Sequence, residues 1–292
     1  DFSRNLAPKG AVLDAQMIPC RRAFTFLNAV VVCALAGPAR AQNAPAPETL
    51  HVQRVHGAIT VHGALHDPGW QGVPAVDVWY ETNPGDNTPP KVKNAGYLAY
   101  DDRFFYAGFV FEDADPRSIR APYGDRDSIG SSLDYGGVIL DTRNTRRTAI
   151  LFLATPRGIQ YDAVTDDASG EDSSPDFFWD SAGRITDKGW ALEIRIPFSS
   201  VRYSKADPQT WGIMLYRNHP RDFRYQYFST QLPKGASCFI CRSNALQGLA
   251  GLPSAGGIVL APYATGTQEW TAPDDGGALA RPPVDGNVGL DV

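Results

Sequence analysis

Two cysteines near the C-terminal end of the sequence stand close enough to react with each other. Cys238 and Cys241 are separated by two residues. In an oxidising compartment, such a pair most simply forms a disulfide. A redox-active Cys-x-x-Cys pair normally opens a helix next to a strand, and residues 234–241 offer no such context, which makes a metal or redox role the weaker alternative. The spacing therefore predicts one short structural disulfide.

Carboxylates are concentrated in three polar stretches, at residues 112–115, 125–134 and 162–176. Calcium takes six to eight oxygen ligands, so loops dense in aspartate are suitable for binding it. The spacing of an EF-hand is absent from the sequence, and a solvated acidic surface is the alternative interpretation. The candidate metal ligands are Asp113, Asp115, Asp127 and Asp134.

Four of the five histidines lie near one another in the sequence, at His51, His56, His62 and His66. His62 and His66 would share one face of a helix, but Gly63 falls in a strand-to-turn segment, which argues against a zinc site. The sequence has neither a Gly-x-Ser-x-Gly elbow nor a His-Glu-x-x-His motif, and carboxylates alone do not define a glycosidase pair. We therefore expect a protein that is not an enzyme.

The charge and composition of the chain restrict its partners and its fold class. The 292 residues carry a formal net charge of −5, and no basic stripe is interleaved with aromatic residues. Such a chain has no general attraction to phosphate backbones, so we do not expect a nucleic-acid partner. The abundance of tyrosine and phenylalanine, together with 28 glycines and 23 prolines, favours strands and turns over helices.

Residues 17–41 have the features of an export signal. An arginine pair at residues 21–22 precedes an apolar run, and residues 39–41 fit a small-x-small cleavage pattern. The run is shorter than the roughly 20 residues of a spanning helix, so a retained anchor is the weaker alternative, as is twin-arginine export. We expect residues 1–16 to be an upstream, non-native segment, residues 17–41 a cleaved signal peptide and residues 42–49 a linker.

Most of the remaining sequence is typical of short strands joined by tight turns. Residues 97–111 predict a hairpin around Asp101-Asp102-Arg103, and residues 138–154 predict another. Apolar and polar residues alternate from Trp190 to Ile196, which predicts a half-buried strand. Because no helical crossovers separate the strands, we predict an all-β fold, an antiparallel β-sandwich over residues 50–253.

One segment resembles the opening signature of the family 9 carbohydrate-binding modules. It reads Ile59-Thr60-Val61-His62-Gly63-Ala64-Leu65-His66-Asp67-Pro68-Gly69-Trp70, a strand followed by a turn, a buried Leu65 and a one-turn helix that delivers Trp70 as an end cap. The similarity continues in order through residues 100–109, 113–116, 138–142, 189–198 and 211–213. The resemblance implies a family 9-like β-sandwich, a glycan ligand and structural calcium.

Three further segments are similar to a subgroup known as domain of unknown function 5916, at residues 141–147, 179–186 and 246–252. In that subgroup the sandwich precedes an outer-membrane β-barrel, and residues 286–292 resemble the entry into such a barrel. The resemblance implies that residues 254–292 are the first strands of a truncated C-terminal barrel. It also implies a protein of the periplasm and outer membrane of a Gram-negative bacterium, with its own barrel as a partner.

Sugar-binding members of the family hold a terminal sugar between two tryptophans, and the matching positions here fall near Ser131 and Cys241. Other residues could replace them, although a position in the core, in a salt bridge or in solvent is the alternative for each. The replacement candidates are Trp79, Tyr80, Trp179, Arg147 and Arg217.

The leading hypothesis is a non-catalytic carbohydrate-binding domain of an exported, outer-membrane-associated protein that is involved in glycan capture or polysaccharide catabolism. The alternative is a structural or gating domain that docks on its own barrel and binds no sugar, and the missing tryptophan pair favours it. A haem-binding relative of the sandwich is the third hypothesis, with Met214 as its only suggested ligand.

Overall fold

The computed structural model describes residues 46–253, 261–268 and 283–291. Within these ranges the chain forms seventeen β-strands and four 3₁₀ turns. None of the helical turns in the described part of the chain is long and apolar enough to cross a membrane. The predicted upstream segment, the predicted signal peptide and the first part of the predicted linker lie outside the described residues.

In chain order, the strands are β1 (Thr49–His51), β2 (Gln53–Arg54), β3 (Ala75–Val76), β4 (Tyr80–Asn83), β5 (Asn94–Tyr100), β6 (Phe104–Glu112), β7 (Tyr135–Asp141), β8 (Thr148–Ala154), β9 (Gln160–Asp166), β10 (Gly170–Asp172), β11 (Asp180–Thr186), β12 (Gly189–Pro197), β13 (Gln209–Pro220), β14 (Arg224–Phe228), β15 (Asn244–Leu249), β16 (Ala261–Thr267) and β17 (Asp285–Asp291). The 3₁₀ turns are Pro68–Trp70, Pro116–Ser118, Phe198–Ser200 and Ile240–Arg242.

Two sheets form the sandwich. The larger sheet has nine strands in the order β1-β15-β13-β7-β8-β9-β10, with β14 paired to β13 and β4 paired to β14. The smaller sheet has six strands in the order β11-β12-β6-β5-β2, with β3 beside β5. Most pairs are antiparallel, but β1 runs parallel to β15 and β2 runs parallel to β5. The predicted all-β sandwich is therefore confirmed, with two short parallel pairs added.

The predicted hairpins are confirmed, and their turn chemistry explains them. Strands β5 and β6 pair from Asn94↔Phe111 to Tyr100↔Phe105. In the turn between them, the Asp101 carboxylate accepts hydrogen bonds from the backbone amides of Arg103 (2.7 Å) and Phe104 (2.8 Å). An aspartate that bonds to amides two and three residues ahead fixes a tight turn without help from the sheet.

The main hydrophobic core fills the space between the two sheets. Alternate residues of each strand point inward, as expected from the two-residue period of a strand. The inward side chains include Leu98, Phe105, Phe109, Phe111, Val138, Leu140, Phe152, Trp190, Leu192, Ile194, Trp211, Ile213, Leu215 and Tyr227.

The larger sheet is also covered on its outer face. Val138 and Leu140 belong to the main core, whereas Ile139 between them belongs to a second cluster with Leu151 and Tyr216. This second cluster lies beneath the loops that cross the outer face. The middle of the larger sheet is thus buried on both faces, by the main core on one side and by the second cluster on the other.

The smaller sheet is covered by the segment that resembled the family 9 signature. Leu65 and Trp70 pack with Tyr106 in a third cluster, and Pro68–Trp70 forms the predicted single turn. This cover also buries Glu193, which points outward from β12, so that Glu193 has no exposed surface. The prediction of a half-buried strand at residues 190–196 was therefore wrong, because polar Glu193 is buried by partners that lie far away in sequence.

Strands β16 and β17 pair with each other as an antiparallel hairpin. Directly opposed residues share a face, so Pro262, Ala264, Val288 and Leu290 lie on one side of the ribbon. Val288 is 86% exposed and Leu290 is 54% exposed. The described part of the predicted barrel region is therefore an amphipathic two-stranded ribbon with one apolar face.

Candidate functional site

A cleft of about 570 Å³ opens on the outer face of the larger sheet. Its floor consists of buried side chains of the second cluster, including Ile139, Leu151, Leu153 and Tyr216. These residues come from β7, β8 and β13, three adjacent strands, and their side chains all point to the outer face of the sheet. The volume lies in the range of small-molecule binding sites, about 300–1,000 Å³.

Aromatic rings form much of the cleft wall. The ring of Tyr216 lies 4.7 Å from that of Phe228 and 5.8 Å from that of Tyr135, measured between centroids. Tyr161 and Phe239 also line the cleft. They are half-buried, whereas Tyr135, Tyr216 and Phe228 are buried. Tyr161 and Phe239 therefore offer the largest exposed aromatic surfaces to a ligand.

A hydrogen-bonded rim lies along β14, where alternation places Arg224, Gln226 and Phe228 on one face. Arg224 donates from Nε to Asn218 Oδ1 (2.7 Å) and from Nη2 to the Tyr135 hydroxyl (3.1 Å). Gln226 Nε2 donates to the Tyr216 hydroxyl (2.9 Å). Burial raises the pKa of Tyr216, so its hydroxyl keeps its proton at neutral pH. These bonds hold the arginine and the glutamine in fixed orientations at the cleft edge.

Glu171 of β10 supplies an acidic group on the far side of the cleft, and Lys234 supplies a cation near the end of β4. The Tyr161 hydroxyl donates to Glu171 Oε2 (3.0 Å), and burial, followed by this bond, raises the pKa of Tyr161. Lys234 Nζ donates to the carbonyl of Pro84 (3.0 Å). The cleft thus combines apolar rings with positively charged donors (Arg224 and Lys234) and a negatively charged acceptor (Glu171). This arrangement suits a ligand with apolar faces and a polar edge.

The predicted disulfide between Cys238 and Cys241 is confirmed, and it shapes the cleft. Between the two cysteines, Phe239 places its ring against Phe228 while Ile240 is fully buried in the second cluster. Asp167 Oδ1 accepts hydrogen bonds from the amides of Phe239 (2.9 Å) and Ile240 (3.2 Å). The disulfide loop is therefore fixed to the β9–β10 turn, which aims Phe239 into the cleft.

The two tryptophans predicted to stack on a sugar lie in the main core instead of the cleft. Trp79 is 5% exposed and donates from Nε1 to the carbonyl of Val76 (2.9 Å). Trp179 is 4% exposed and donates from Nε1 to Asp162 Oδ1 (3.1 Å). Each indole packs edge-on against a core phenylalanine. Neither ring has a free face for a ligand, because sandwich packing covers both sides.

The other three predicted ligand residues lie in three different places. Arg217 is fully buried and donates from Nη1 to Asn94 Oδ1 and to the Glu112 carbonyl, both at 2.8 Å. Tyr80 is half-buried in a separate pocket of about 70 Å³ on β4. Arg147 is exposed in the turn between β7 and β8. The structure thus does not bring the five predicted residues together.

Two of the four predicted metal ligands meet in a buried cluster with His219. Arg221 donates to both carboxylates, through Nη2 to Asp113 and through Nη1 to Asp134 at 2.9 Å. Burial raises the pKa of Asp113, but hydrogen bonds from His219 and Arg221 outweigh burial and hold it below its usual range. Burial lowers the pKa of Arg217 to about 10, which leaves this arginine charged at neutral pH.

This donor set does not fit calcium. Calcium needs six to eight oxygens, whereas the two carboxylates here face two guanidinium groups and an imidazole. Asp115 caps the turn at Pro116–Ser118, and Asp127 lies beside Arg126 and Asp162. The four aspartates therefore do not converge on one point, and calcium binding by this chain stays a prediction.

The aromatic and polar residues of the cleft were missed by the sequence interpretation. One usable signal was present: Tyr135 to Leu140 and Ala149 to Ala154 contain no charged or amide side chain at any position. A strand with one solvated face alternates, so such runs indicate burial on both faces. A second signal was the Arg224-x-Gln226-x-Phe228 spacing, which places three side chains on one side of a strand.

Three solved structures superpose on the sandwich. A candidate carbohydrate-binding protein from Bacteroides uniformis ATCC 8492 superposes with a TM-score of 0.54 at 12% identity, over 69% of this chain and 99% of that chain. Two structures of a family 9 carbohydrate-binding module from Caldicellulosiruptor kristjanssonii also superpose, each over 72% of this chain and 99% of the other. The complex with cellotriose has a TM-score of 0.44 at 12% identity, and the complex with glucose has 0.43 at 13%.

The similarity to the Bacteroides uniformis protein shows that the two chains share a fold. No protein-family model matches the sequence. None of the curated proteins matches it either.

Proposed function

We propose that this protein is a non-catalytic glycan-binding domain whose binding site is the cleft on the outer face of the larger sheet. The observation that carries the proposal is the placement of half-buried Tyr161 and Phe239 beside Arg224, Gln226 and Glu171 around one cavity. Aromatic faces and planar hydrogen-bonding groups around one cavity are the two components that a sugar ring requires.

The physical match concerns both surfaces of a sugar. A pyranose ring has apolar C–H faces, which pack on aromatic rings, and hydroxyls around its edge, which need donors and acceptors. Arg224 supplies donors, Glu171 supplies acceptors, and Gln226 supplies both. The bonds that Arg224 and Gln226 already make reduce the entropy lost when a ligand binds, because their orientations are fixed beforehand.

Two further observations support this function. The fold is shared with a protein described as a candidate carbohydrate binder. The signal-like sequence at residues 17–41 is typical of exported proteins, which meet extracellular glycans. Association with the outer membrane, through a barrel that would begin at residue 254, is part of the proposal and rests on the sequence resemblance.

Calorimetric titration against a panel of neutral and uronic-acid oligosaccharides tests the proposal. We expect at least one glycan to bind the folded protein and to lose affinity when Phe239 is changed to alanine. Phe178→Ala is the matched control, since Phe178 is 75% exposed and does not line the cleft. If no glycan of a broad panel binds, or if both variants lose affinity equally, the proposed function is incorrect.

A second candidate is a structural or gating domain that docks on its own outer-membrane barrel. The β16–β17 ribbon favours it, because Val288 and Leu290 expose a continuous apolar face with Pro262 and Ala264. An exposed apolar face of this kind marks an interaction surface with protein or lipid. If this function is correct, deleting residues 50–253 from the longer protein should change barrel assembly or transport, and the isolated domain should bind none of the panel glycans.

A further inference from the structure

We infer that His62, His66 and Asp67 form a binding site for a transition-metal ion such as Zn²⁺, with Glu193 as the carboxylate that orients His62. Each of the three residues offers a ligand atom, and these atoms lie within 4.8 Å of one another. Two imidazoles and one carboxylate are a donor set that zinc accepts, with water as the fourth ligand. None of these residues lines the proposed glycan cleft.

The local turn explains how the two histidines meet. Gly63 has a φ of +81°, a conformation that other residues rarely adopt, and a Cβ at this position would lie 2.8 Å from the backbone of Gly183. The chain reverses there, and the His66 amide bonds to the Ala64 carbonyl (2.8 Å). The imidazoles stack with their centroids 4.6 Å apart. The helical-spacing argument against this pair was therefore wrong, because a glycine turn brings the two rings together without a helix.

The distance between two of the donor atoms matches tetrahedral coordination. His62 Nε2 lies 3.3 Å from Asp67 Oδ1. Bonds of about 2.0–2.1 Å in a tetrahedral zinc site separate two donors by about 3.3–3.4 Å. Without metal, the same atoms share a hydrogen bond that keeps them in position. The other oxygen of Asp67 accepts from the Thr60 amide (2.6 Å), which fixes the carboxylate.

A buried carboxylate lies behind His62, where metal sites commonly have one. Glu193 Oε2 is 3.2 Å from His62 Nδ1, and Glu193 is fully buried. Trp70 Nε1 donates to its other oxygen (2.8 Å) and the Gly63 amide donates to Oε2 (2.8 Å). A histidine that donates from one ring nitrogen to a carboxylate presents the other nitrogen to a metal in a fixed direction.

The protonation state that metal binding requires is compatible with the surrounding bonds. With metal on Nε2, Nδ1 of His62 carries the proton and donates to Glu193. The Ala64 amide lies 3.1 Å from Nδ1 but also 3.3 Å from Glu193 Oε2, so it keeps an acceptor in this state. His66 is exposed, and 29% of the His62 side chain is exposed, which gives an ion access to the site.

Titration of Zn²⁺ into the tag-free, folded protein tests the site. We expect one zinc ion per chain, and a loss of affinity of at least tenfold in His66→Ala. His66 is exposed, so this variant should fold like the wild type, which its thermal unfolding without metal will establish. His56→Ala is the matched control, because His56 is exposed in the same segment but lies outside the cluster.

Two outcomes would overturn the inference. One is a wild-type protein that takes up no zinc, and the other is a His66→Ala variant that binds zinc as tightly as the His56→Ala control. Substitution of Co²⁺ provides a second readout, since its visible absorption reports the coordination geometry. A spectrum of free aqueous Co²⁺ in the presence of the protein would also contradict the site.

Discussion

Phe239 packs edge-on against Phe228, with their ring centroids 5.8 Å apart. Phe228 belongs to β14 of the sheet, whereas Phe239 is held between the two bonded cysteines of a loop. The contact joins the irregular backbone of the disulfide loop to a strand of the larger sheet. Both the disulfide loop and the larger sheet therefore contribute side chains to the cleft.

Removing the ring of Phe239 should weaken glycan binding without unfolding the protein. An aromatic contact contributes about 0.5–1.5 kcal/mol beyond the area that it buries, so Phe239→Ala should reduce affinity about tenfold. Titration calorimetry with the best glycan of the panel measures the effect. Phe178→Ala should bind like the wild type, and equal affinity in all three proteins would contradict the role of Phe239.

Loss of the disulfide should affect binding more than stability. The loop closed by Cys238 and Cys241 is short, so the loop-entropy estimate limits its stabilisation to about 2 kcal/mol. The Cys238→Ser/Cys241→Ser variant should retain a cooperative urea transition, because Ile240 remains buried, while its glycan affinity falls. A variant that binds as tightly as the oxidised protein would show that the loop does not need the bond to position Phe239.

Replacing Arg224 by lysine should weaken binding although charge is retained. The guanidinium bonds to Asn218 and Tyr135 at the same time, and an ammonium group cannot reproduce that planar geometry. We expect a loss of about tenfold for Arg224→Lys. Arg147→Lys serves as the comparison, because the sequence predicted Arg147 as a ligand residue and the structure places it outside the cleft. A larger loss in Arg147→Lys would place the site elsewhere.

The buried ion cluster should be essential for folding stability. Arg221 balances Asp113 and Asp134, and Asp134 has no exposed surface. Removal of one partner from a buried pair costs about 3–5 kcal/mol, because a charge remains uncompensated. Arg221→Ala should lower the free energy of unfolding by an amount of this order in a urea titration. A loss below about 1 kcal/mol would mean that water solvates these carboxylates.

Alkaline pH should destabilise the fold through its buried tyrosines. Burial raises the pKa values of Tyr106, Tyr161, Tyr216 and Tyr227. Unfolded tyrosines ionise near pH 10, so above that pH the unfolded chain releases protons that the native protein retains. The free energy of unfolding is then maintained below about pH 10 and falls as the pH rises further.

The variant Tyr216→Phe isolates one of these groups. Between pH 10 and 11, each raised tyrosine contributes up to about 1.4 kcal/mol of the loss. The variant should therefore lose up to about that much less stability than the wild type over this interval. Urea titrations at pH 8, 10 and 11 compare the two proteins, and identical pH profiles would contradict burial of the Tyr216 hydroxyl.

Much of the fold could be predicted because its signals are local. Asp101 fixes the β5–β6 turn through amides two and three residues away, and Trp70 follows a proline that starts a single turn. The pairing of Cys238 with Cys241 also needs only neighbours in sequence. Each of these features depends on a few consecutive residues, so the pattern alone was sufficient.

The candidate site could not be predicted in the same way, because burial depends on distant residues. Trp79 and Trp179 carry the right rings for sugar stacking, but the opposite sheet covers them. Glu193 appears solvent-facing in an alternating strand, yet residues 62–70 supply its hydrogen-bond donors. Phe239 and Phe228 meet only once the loop has folded over the sheet. Sequence spacing carries no information about such contacts.

The position of the bound glycan is the most direct test of the central claim. In a two-dimensional NMR titration with a glycan that binds, we expect the largest amide shifts at residues 224–228 and 239–240, with smaller shifts near residues 161 and 171. Addition of Zn²⁺ should leave these signals unchanged, because the metal ligands lie in the segment that covers the smaller sheet, away from the cleft. Glycan-induced shifts confined to the surroundings of Tyr80 or Arg147, with none along β14, would contradict the account.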